Sequence, residues 1–220
     1  MKEAKKMTGE DREQILVTSI LTVLPMLIGL ILWNRLPDRI PTHWNFSGEI
    51  DGYGGKASVV FGIPVFILAM HLFSISATRQ DPQSGNITQK IRSLVLWICP
   101  VVSLFLCILI YPSAMGYEVD SVLWADVLIG GMFIVFGNYL PKCRPNNTIG
   151  IKLPWLLADD DLWKRTHRMA GPLWMIGGFV VLLDAFLRSK RMWVMLIVLA
   201  ILTMVPVIYS LALCQKKNHM

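Results

Sequence analysis

Charged residues are scarce in this chain, and their scarcity excludes most soluble folds. Of the 220 residues, 16% are charged, whereas soluble domains carry about 25%. Hydrophobic residues make up 54%, and the mean hydropathy is +0.53. The apolar residues fall in long runs rather than in amphipathic periods, which is typical of helices that cross a bilayer.

Motifs for catalysis and metal binding are also missing. The sequence has no GxSxG, no HExxH and no phosphate-binding loop, so the pattern does not predict an enzyme. His167 lies near the acidic run Asp159 to Asp161, but no nucleophile accompanies them. The four cysteines lack metal-ligand spacing, and two of them fall on the predicted cytoplasmic side, where thiols stay reduced. We therefore expect no disulfide, metal or cofactor.

Six apolar runs are present, each near the ~20 residues that span a bilayer. They are Ile15 to Trp33, Ala57 to Ala77, Leu94 to Tyr111, Val122 to Leu140, Gly171 to Leu187 and Met192 to Leu213. The first run is too long for a signal-peptide core, and no small-residue cleavage pattern follows it, so it is predicted to be a retained span. The sequence therefore predicts an all-α integral membrane protein with six transmembrane helices.

The distribution of Lys and Arg predicts the orientation. Fifteen of the 21 basic residues fall on the side that holds both termini, and six fall on the other, with three of those six at 188–191. Because basic loops remain in the cytoplasm, both termini are predicted to be inside. This bias and contact with anionic lipids explain the net charge of +6 without direct binding of nucleic acid.

The first outside loop, 34–56, combines turn signals with aromatic residues. Arg39 to Trp44 is predicted to be an extended segment that precedes a tight turn. Aromatic residues flanked by turns are common anchors for binding, although they also anchor helices at the headgroup level. The candidate contacts for an extracellular peptide are His43, Trp44, Asn45, Glu49, Asp51 and Tyr53. A metal at His43, Glu49 and Asp51 is a further alternative, but their spacing fits no standard motif.

The segment between the fourth and fifth spans is long, basic and rich in proline. Asp159 to Asp161 are predicted to cap an amphipathic helix over Asp160 to Ala170, which ends at Gly171-Pro172. One face of this helix is apolar, and the other carries Lys164, Arg165 and Arg168. It either lies on the membrane and stabilises the bundle or presents a site to a cytoplasmic partner. By contrast, the loop from Arg79 to Arg92 is predicted to be an ordinary turn.

Motifs in both halves of the chain resemble the SdpI family. The main motifs are Gly137-Asn138, Pro141-Lys142, Arg144-Pro145-Asn146, Ile149-Gly150-Ile151-Lys152, Pro154-Trp155, Trp163-Lys164 and Thr166-His167-Arg168. The outside loop, with Pro41-Thr42-His43-Trp44 and Asp51-Gly52-Tyr53, is similar to the small domain of unknown function that often precedes them. The chain departs from the pattern at Lys152, where Arg is frequent, and at Leu153, where Thr is frequent.

The resemblance implies a bacterial multi-pass immunity and signalling protein of the cell membrane. Such a protein gives resistance to a secreted toxin peptide and sequesters a cytoplasmic transcriptional repressor. The implied partner contacts are Asn138, Lys142, Arg144, Asn146, Lys152, Trp155, Trp163, Thr166, His167 and Arg168. Two domains are expected, with residues 1–78 forming a two-helix unit and residues 79–220 forming a four-helix unit.

Two other functions stay open. Asp126 and Asp184 interrupt the fourth and fifth spans, where a charge is costly and marks ion or solute pathways by default. With His71, they suggest a transporter or channel. Both lie near the predicted outer ends of their spans, so partial solvation or pairing of Asp184 with Arg188 or Lys190 also accounts for them. A structural role without a ligand is the third possibility.

Overall fold

The described residues form long helices and a small β-hairpin. The computed structural model describes residues 9–45, 47–187 and 191–218. Within these ranges, six helices are long and apolar enough to cross a membrane. They are α1 (Gly9–Ile31), α2 (Ile63–Gln80), α3 (Gln89–Ala114), α4 (Ser121–Tyr139), α6 (Asp160–Leu187) and α7 (Arg191–Asn218), and α5 (Pro154–Leu157) is a single turn. The prediction of a six-span membrane protein is confirmed.

The prediction of a separate amphipathic helix before the fifth span is wrong. Helix α6 runs without a break from Asp160 to Leu187, with Pro172 inside it. Membrane helices tolerate proline because neighbouring helices and local adjustments satisfy the freed backbone groups. A Cβ on Gly171 would lie 2.4 Å from Cγ of Pro141, so this glycine serves a close contact. The Gly-Pro pair therefore marks a packing contact rather than a helix end.

The chain forms two compact units. The first contains residues 1–79 and 92–124, and the second contains residues 80–91 and 125–220. Helix α3 from residue 92 onward thus packs within the first unit, together with α1 and α2. The predicted domain boundary between residues 78 and 79 stays a prediction.

Polar side chains line the interior of the first unit. The Thr18 hydroxyl lies 3.2 Å from Nε2 of His71, which joins α1 to α2. The hydroxyl of Ser103 donates to the carbonyl oxygen of Thr22 at 2.7 Å, and that of Tyr111 donates to the carbonyl oxygen of Pro25 at 2.9 Å. These bonds join α3 to α1 at membrane depth, where water is absent and unpaired polar groups are costly.

The outside loop folds into an antiparallel hairpin. The first strand and the turn match the predicted extended segment and tight turn, whereas the second strand was not predicted and adds a small sheet to the predicted all-α architecture. Strand β1 is Arg39–Trp44 and strand β2 is Ile50–Gly55. The side-chain oxygen of Asn45 accepts the N–H groups of Ser47 and Glu49, which builds the turn. Gly48 has φ +83°, a left-handed conformation that favours glycine.

Glycines allow α4 and α6 to approach closely in the second unit. A Cβ on Gly178 would lie 2.5 Å from the carbonyl oxygen of Gly130, and one on Gly137 would lie 2.7 Å from the carbonyl oxygen of Gly171. The two contacts are seven residues apart on each helix, so they lie along one antiparallel seam. A Cβ on Gly131, beside Gly130, would meet nothing within 4 Å.

The close contact between α4 and α6 predicts that alanine destabilises the protein at Gly178 but not at Gly131. Gly178→Ala should lower the free energy of unfolding by roughly 1–3 kcal/mol, because the new methyl group forces α4 and α6 apart. Thermal unfolding of the purified protein in detergent measures this change. Gly131→Ala is the matched control and should leave the melting temperature unchanged or raise it. Equal loss of stability in both variants would contradict the seam.

Candidate functional site

Asn146 builds the turn at the centre of the segment between α4 and α6. Its side-chain oxygen accepts the N–H groups of Thr148 at 2.9 Å and Ile149 at 2.6 Å. Its Nδ2 donates to the carbonyl oxygens of Arg144 at 2.8 Å and Ile149 at 3.0 Å. Asn146 is only 2% exposed. The buried amide therefore uses its full hydrogen-bonding capacity on the backbone of this segment.

Asp81, from the loop after α2, clamps the same turn from the other side. One carboxylate oxygen accepts the backbone N–H of Asn147 at 2.8 Å and the hydroxyl of Thr148 at 2.6 Å. Nearby, Nδ2 of Asn86 donates to the carbonyl oxygen of Pro145 at 2.6 Å. Asp81 is buried, so the prediction of an ordinary turn after α2 is wrong. Sequence spacing does not show this pairing because the partners lie 66 and 67 residues apart.

Trp163 and His167 hold the rest of the segment against the first turns of α6. The indole N–H of Trp163 donates to the carbonyl oxygen of Cys143 at 2.9 Å, and its ring stacks on His167 at 4.1 Å. The N–H of Ile151 donates to Nε2 of His167 at 2.9 Å, so the ring proton lies on Nδ1, which donates to the carbonyl oxygen of Trp163. Gly150, at φ +115°, packs directly against this imidazole.

Asp159 joins the start of α6 to the end of α7. One of its oxygens accepts the N–H groups of Asp161 and Leu162, so the predicted acidic cap of this helix is present. The other oxygen forms an ion pair with Lys217. The hydrogen bond from Lys217 lowers the pKa of Asp159 below its usual value, and the bond from Leu162 adds to this effect. The cap therefore stays ionised at neutral pH.

Burial divides the ten predicted partner contacts into three groups: buried, half-buried and exposed. Asn146, Trp163, Thr166 and His167 are buried, so they stabilise the segment and offer no surface to a partner. Trp155 is half-buried, and its indole N–H donates to the Ser210 hydroxyl at 3.0 Å. The exposed group, together with neighbouring basic residues of α6, is called the inner basic surface: Asn138, Lys142, Arg144, Lys152, Lys164, Arg165 and Arg168. The predicted apolar face of α6 thus packs on protein rather than on lipid.

Cys143 lies at the base of this segment but does not contribute a reactive group. It is buried, and its thiol lies 3.5 Å from the carbonyl oxygen of Tyr139. Burial raises the pKa of the Cys143 thiol to about 11. The thiol is therefore protonated at neutral pH and is a poor nucleophile.

The outer hairpin, residues 39–55, presents most of its predicted contacts to solvent. His43 lies 2.5 Å from the carboxylate of Asp51, and Nδ2 of Asn45 donates to Glu49 at 3.0 Å. Tyr53 is 50% exposed. Trp44 instead packs against the buried cluster of the first unit. Phe46, another aromatic residue of this loop, lies outside the described residues.

Metal ligation on the hairpin finds no supporting geometry. Its two acidic side chains engage different partners, since Asp51 contacts His43 and Glu49 contacts Asn45. Within 9–45, 47–187 and 191–218, no three His, Cys, Asp or Glu side chains converge as a ligand set.

The acidic residues inside the spans are buried and engaged. Asp126 is 7% exposed and Asp184 is 8% exposed, and each makes an interaction within the protein. The predicted partners of Asp184, Arg188 and Lys190, lie outside the described residues. His71 is fully buried in the first unit, beside Thr18.

In the segment between α4 and α6, we expect alanine substitution of two adjacent asparagines to change local opening by different amounts. Asn146→Ala removes the acceptor of two part-buried N–H groups, those of Thr148 and Ile149, so local opening should rise roughly ten- to hundredfold. Limited proteolysis of the 143–153 segment in detergent measures this opening. Asn147→Ala is the control, because the exposed side chain is removed while its backbone bond to Asp81 remains. Similar cleavage rates in the two variants would show that the Asn146 amide does not hold the turn.

Comparison with known proteins finds matches in both halves of the chain. Residues 142–210 match the SdpI/YfhL protein family, and residues 20–68 match a domain of unknown function, DUF1648. The immunity protein SdpI of Bacillus subtilis strain 168 is 25% identical over 194 residues, which cover 86% of this chain and 90% of that protein. No solved structure matches the chain significantly.

The two matched regions contain the outer hairpin and most of the inner basic surface. The outer hairpin lies within the DUF1648 region, and the segment held by Asn146, Trp163 and His167 lies within the SdpI/YfhL region. The six spanning helices and these matches make the chain a multi-pass bacterial membrane protein. Its resemblance to the SdpI family, which the sequence motifs indicate, is thereby confirmed.

Proposed function

We propose that this chain is a non-enzymatic immunity protein that protects a bacterial cell from a secreted toxin peptide. The observation that carries the proposal is the similarity to an immunity protein across both the hairpin region and the inner segment. An identity of 25% leaves room for a different toxin, so the proposal names the class of ligand, a secreted peptide, and the membrane as the place of action.

The outer hairpin is the proposed toxin-binding surface. It combines an exposed aromatic ring, Tyr53, with the exposed polar pairs His43 with Asp51 and Asn45 with Glu49. Its buried residue Ile40 and half-buried Trp44 anchor it to the core of the first unit. A small sheet that is fixed in this way offers a preorganised surface, which lowers the entropic cost of binding a peptide.

The inner basic surface is the proposed site for a cytoplasmic regulator, a transcriptional repressor in the family's namesake role. Six of its seven residues are Lys or Arg, and all are exposed. The turn of Asn146 and the stack of Trp163 on His167 fix the backbone beneath them. A rigid cationic surface favours a partner with an acidic face, because complementary charge speeds association and orients the partner.

The internal bonds of His167 support a role without catalysis. Its Nε2 accepts the N–H of Ile151 and its Nδ1 donates to the carbonyl oxygen of Trp163. Both ring nitrogens are thus occupied in holding the backbone, and neither is available to accept a proton from a substrate. The residue that most suggested hydrolysis therefore has a structural use.

Steric blocking of the hairpin tests the proposed function. Sensitive cells that express the chain with Ser47→Cys should survive challenge by a sporulation-delaying peptide toxin and should lose this protection after treatment with a bulky, membrane-impermeant maleimide. Ser47 is exposed in the hairpin turn, so attachment there covers the surface without altering the fold.

The control places the cysteine on the predicted cytoplasmic side. Gly85 lies in the loop after α2, where a Cβ meets nothing within 4 Å, so Gly85→Cys should fold normally and escape the reagent. Cells with this variant should keep protection, as should treated cells with the unaltered chain. Survival that is no better than that of cells without the chain would refute immunity to this toxin.

Neutral replacements in the spans separate immunity from transport. We expect Asp126→Asn and Asp184→Asn to keep wild-type survival, because asparagine preserves size and hydrogen bonding while removing the charge. A transporter that uses these carboxylates requires the charge and would lose function in both variants. Survival at equal protein levels in the membrane is the measurement, and loss in both variants would favour the transporter.

A further inference from the structure

The strand pairing of the outer hairpin shows which backbone groups face outward. The N–H of Lys56 donates to the carbonyl oxygen of Asp38 at 2.9 Å, just before the ladder begins. Hydrogen-bonded and non-hydrogen-bonded pairs alternate along an antiparallel ladder. The next pair, Arg39 with Gly55, is therefore non-hydrogen-bonded. The N–H and C=O groups of both residues point away from the partner strand.

Two residues further along, the pair of Pro41 with Tyr53 is also non-hydrogen-bonded. The two edges differ at this pair. Pro41 is buried and has no N–H, so it blunts the β1 edge against another strand. On the β2 edge, Tyr53 is 50% exposed and keeps an N–H and a C=O, and Gly55 is exposed and keeps an N–H, while its carbonyl group leads into the helical turn that begins at Lys56.

The residues of β2 leave this edge accessible to another chain. The strand reads Ile-Asp-Gly-Tyr-Gly-Gly, so three of its six residues have no side chain. A Cβ on Gly54 would lie 2.9 Å from a methyl group of Val59, which places the inner face of β2 against the first unit. Ile50 and Tyr53 add exposed apolar surface beside the free main-chain groups.

We propose that an extended segment of the toxin peptide binds as a third strand along β2. The outward N–H and C=O groups of Tyr53 and the outward N–H of Gly55 form the ladder with it, and the Tyr53 ring covers one face of the added strand. This mode of recognition takes its affinity from main-chain hydrogen bonds and therefore tolerates variation in the sequence of the ligand. The proposal rests on the proposed function, since it names how the hairpin binds the peptide.

Proline substitutions on the two edges test the proposal. Tyr53→Pro and Gly55→Pro each remove an outward N–H from β2 while sparing the bonds to β1, and Pro41 already occupies the equivalent position of β1. The concentration of sporulation-delaying toxin that halves survival should fall roughly tenfold in each. Arg39→Pro is the control on the β1 edge. Because it also removes the guanidinium that lies 5.7 Å from the centre of the Tyr53 ring, it is compared with Arg39→Ala, and these two variants should protect equally.

Two further measurements separate binding from folding. Tyr53→Thr removes the ring but keeps the N–H, so it should protect better than Tyr53→Pro. Every variant is compared at equal membrane levels and with its melting temperature in detergent. If β2-edge variants of unchanged melting temperature protect fully, or Arg39→Pro loses as much protection relative to Arg39→Ala, strand addition at β2 is refuted while the immunity function stands. If the unaltered chain gives no protection, both proposals fall.

Discussion

The interior of a bilayer supplies no hydrogen-bond partners, and neither does a packed protein interior. This constraint governs the spanning helices and the buried part of the segment between α4 and α6. Helices satisfy their own backbones, so the remaining polar groups need partners from side chains. In the first unit, Ser103 and Tyr111 donate to carbonyl oxygens of α1. In the second unit, the irregular backbone between α4 and α6 is satisfied by Asn146, Asp81 and His167. Buried polar residues are thus the supports of this protein rather than its reactive groups.

Close packing is the second consequence of the membrane environment. Lipid is as apolar as leucine, so helices gain little from burying apolar side chains against one another and rely on close contact. Glycines at 130, 137, 171 and 178 bring the backbones of α4 and α6 together. Each candidate surface rests on packed protein. The hairpin packs on the core of the first unit, and the inner basic surface includes the segment that packs against α6.

Patterns among residues that are close in the sequence predicted the fold well. Six apolar runs predicted six spans, and the loop sequence predicted the extended segment that became β1 and the turn after it, but not the pairing with β2. Motifs predicted the family, but not which motif residues are exposed. Asn146 and His167 became candidate contacts because they belong to motifs that resemble the family, whereas both are buried and bond to the backbone of the segment. Asp81 was missed because its partners lie more than sixty residues away, and Gly171-Pro172 resembled a helix end because helix packing cannot be read from local spacing.

Hydrogen–deuterium exchange tests the central claim, recognition of a toxin peptide by the outer hairpin, most directly. The chain in lipid nanodiscs would be measured with and without the sporulation-delaying peptide, at single-amide resolution. The account predicts slower exchange at the amides of Tyr53 and Gly55, because they gain hydrogen bonds to the bound peptide, and unchanged exchange at Arg39. A peptide that binds the nanodisc-embedded chain and leaves exchange in the hairpin unaltered would contradict it.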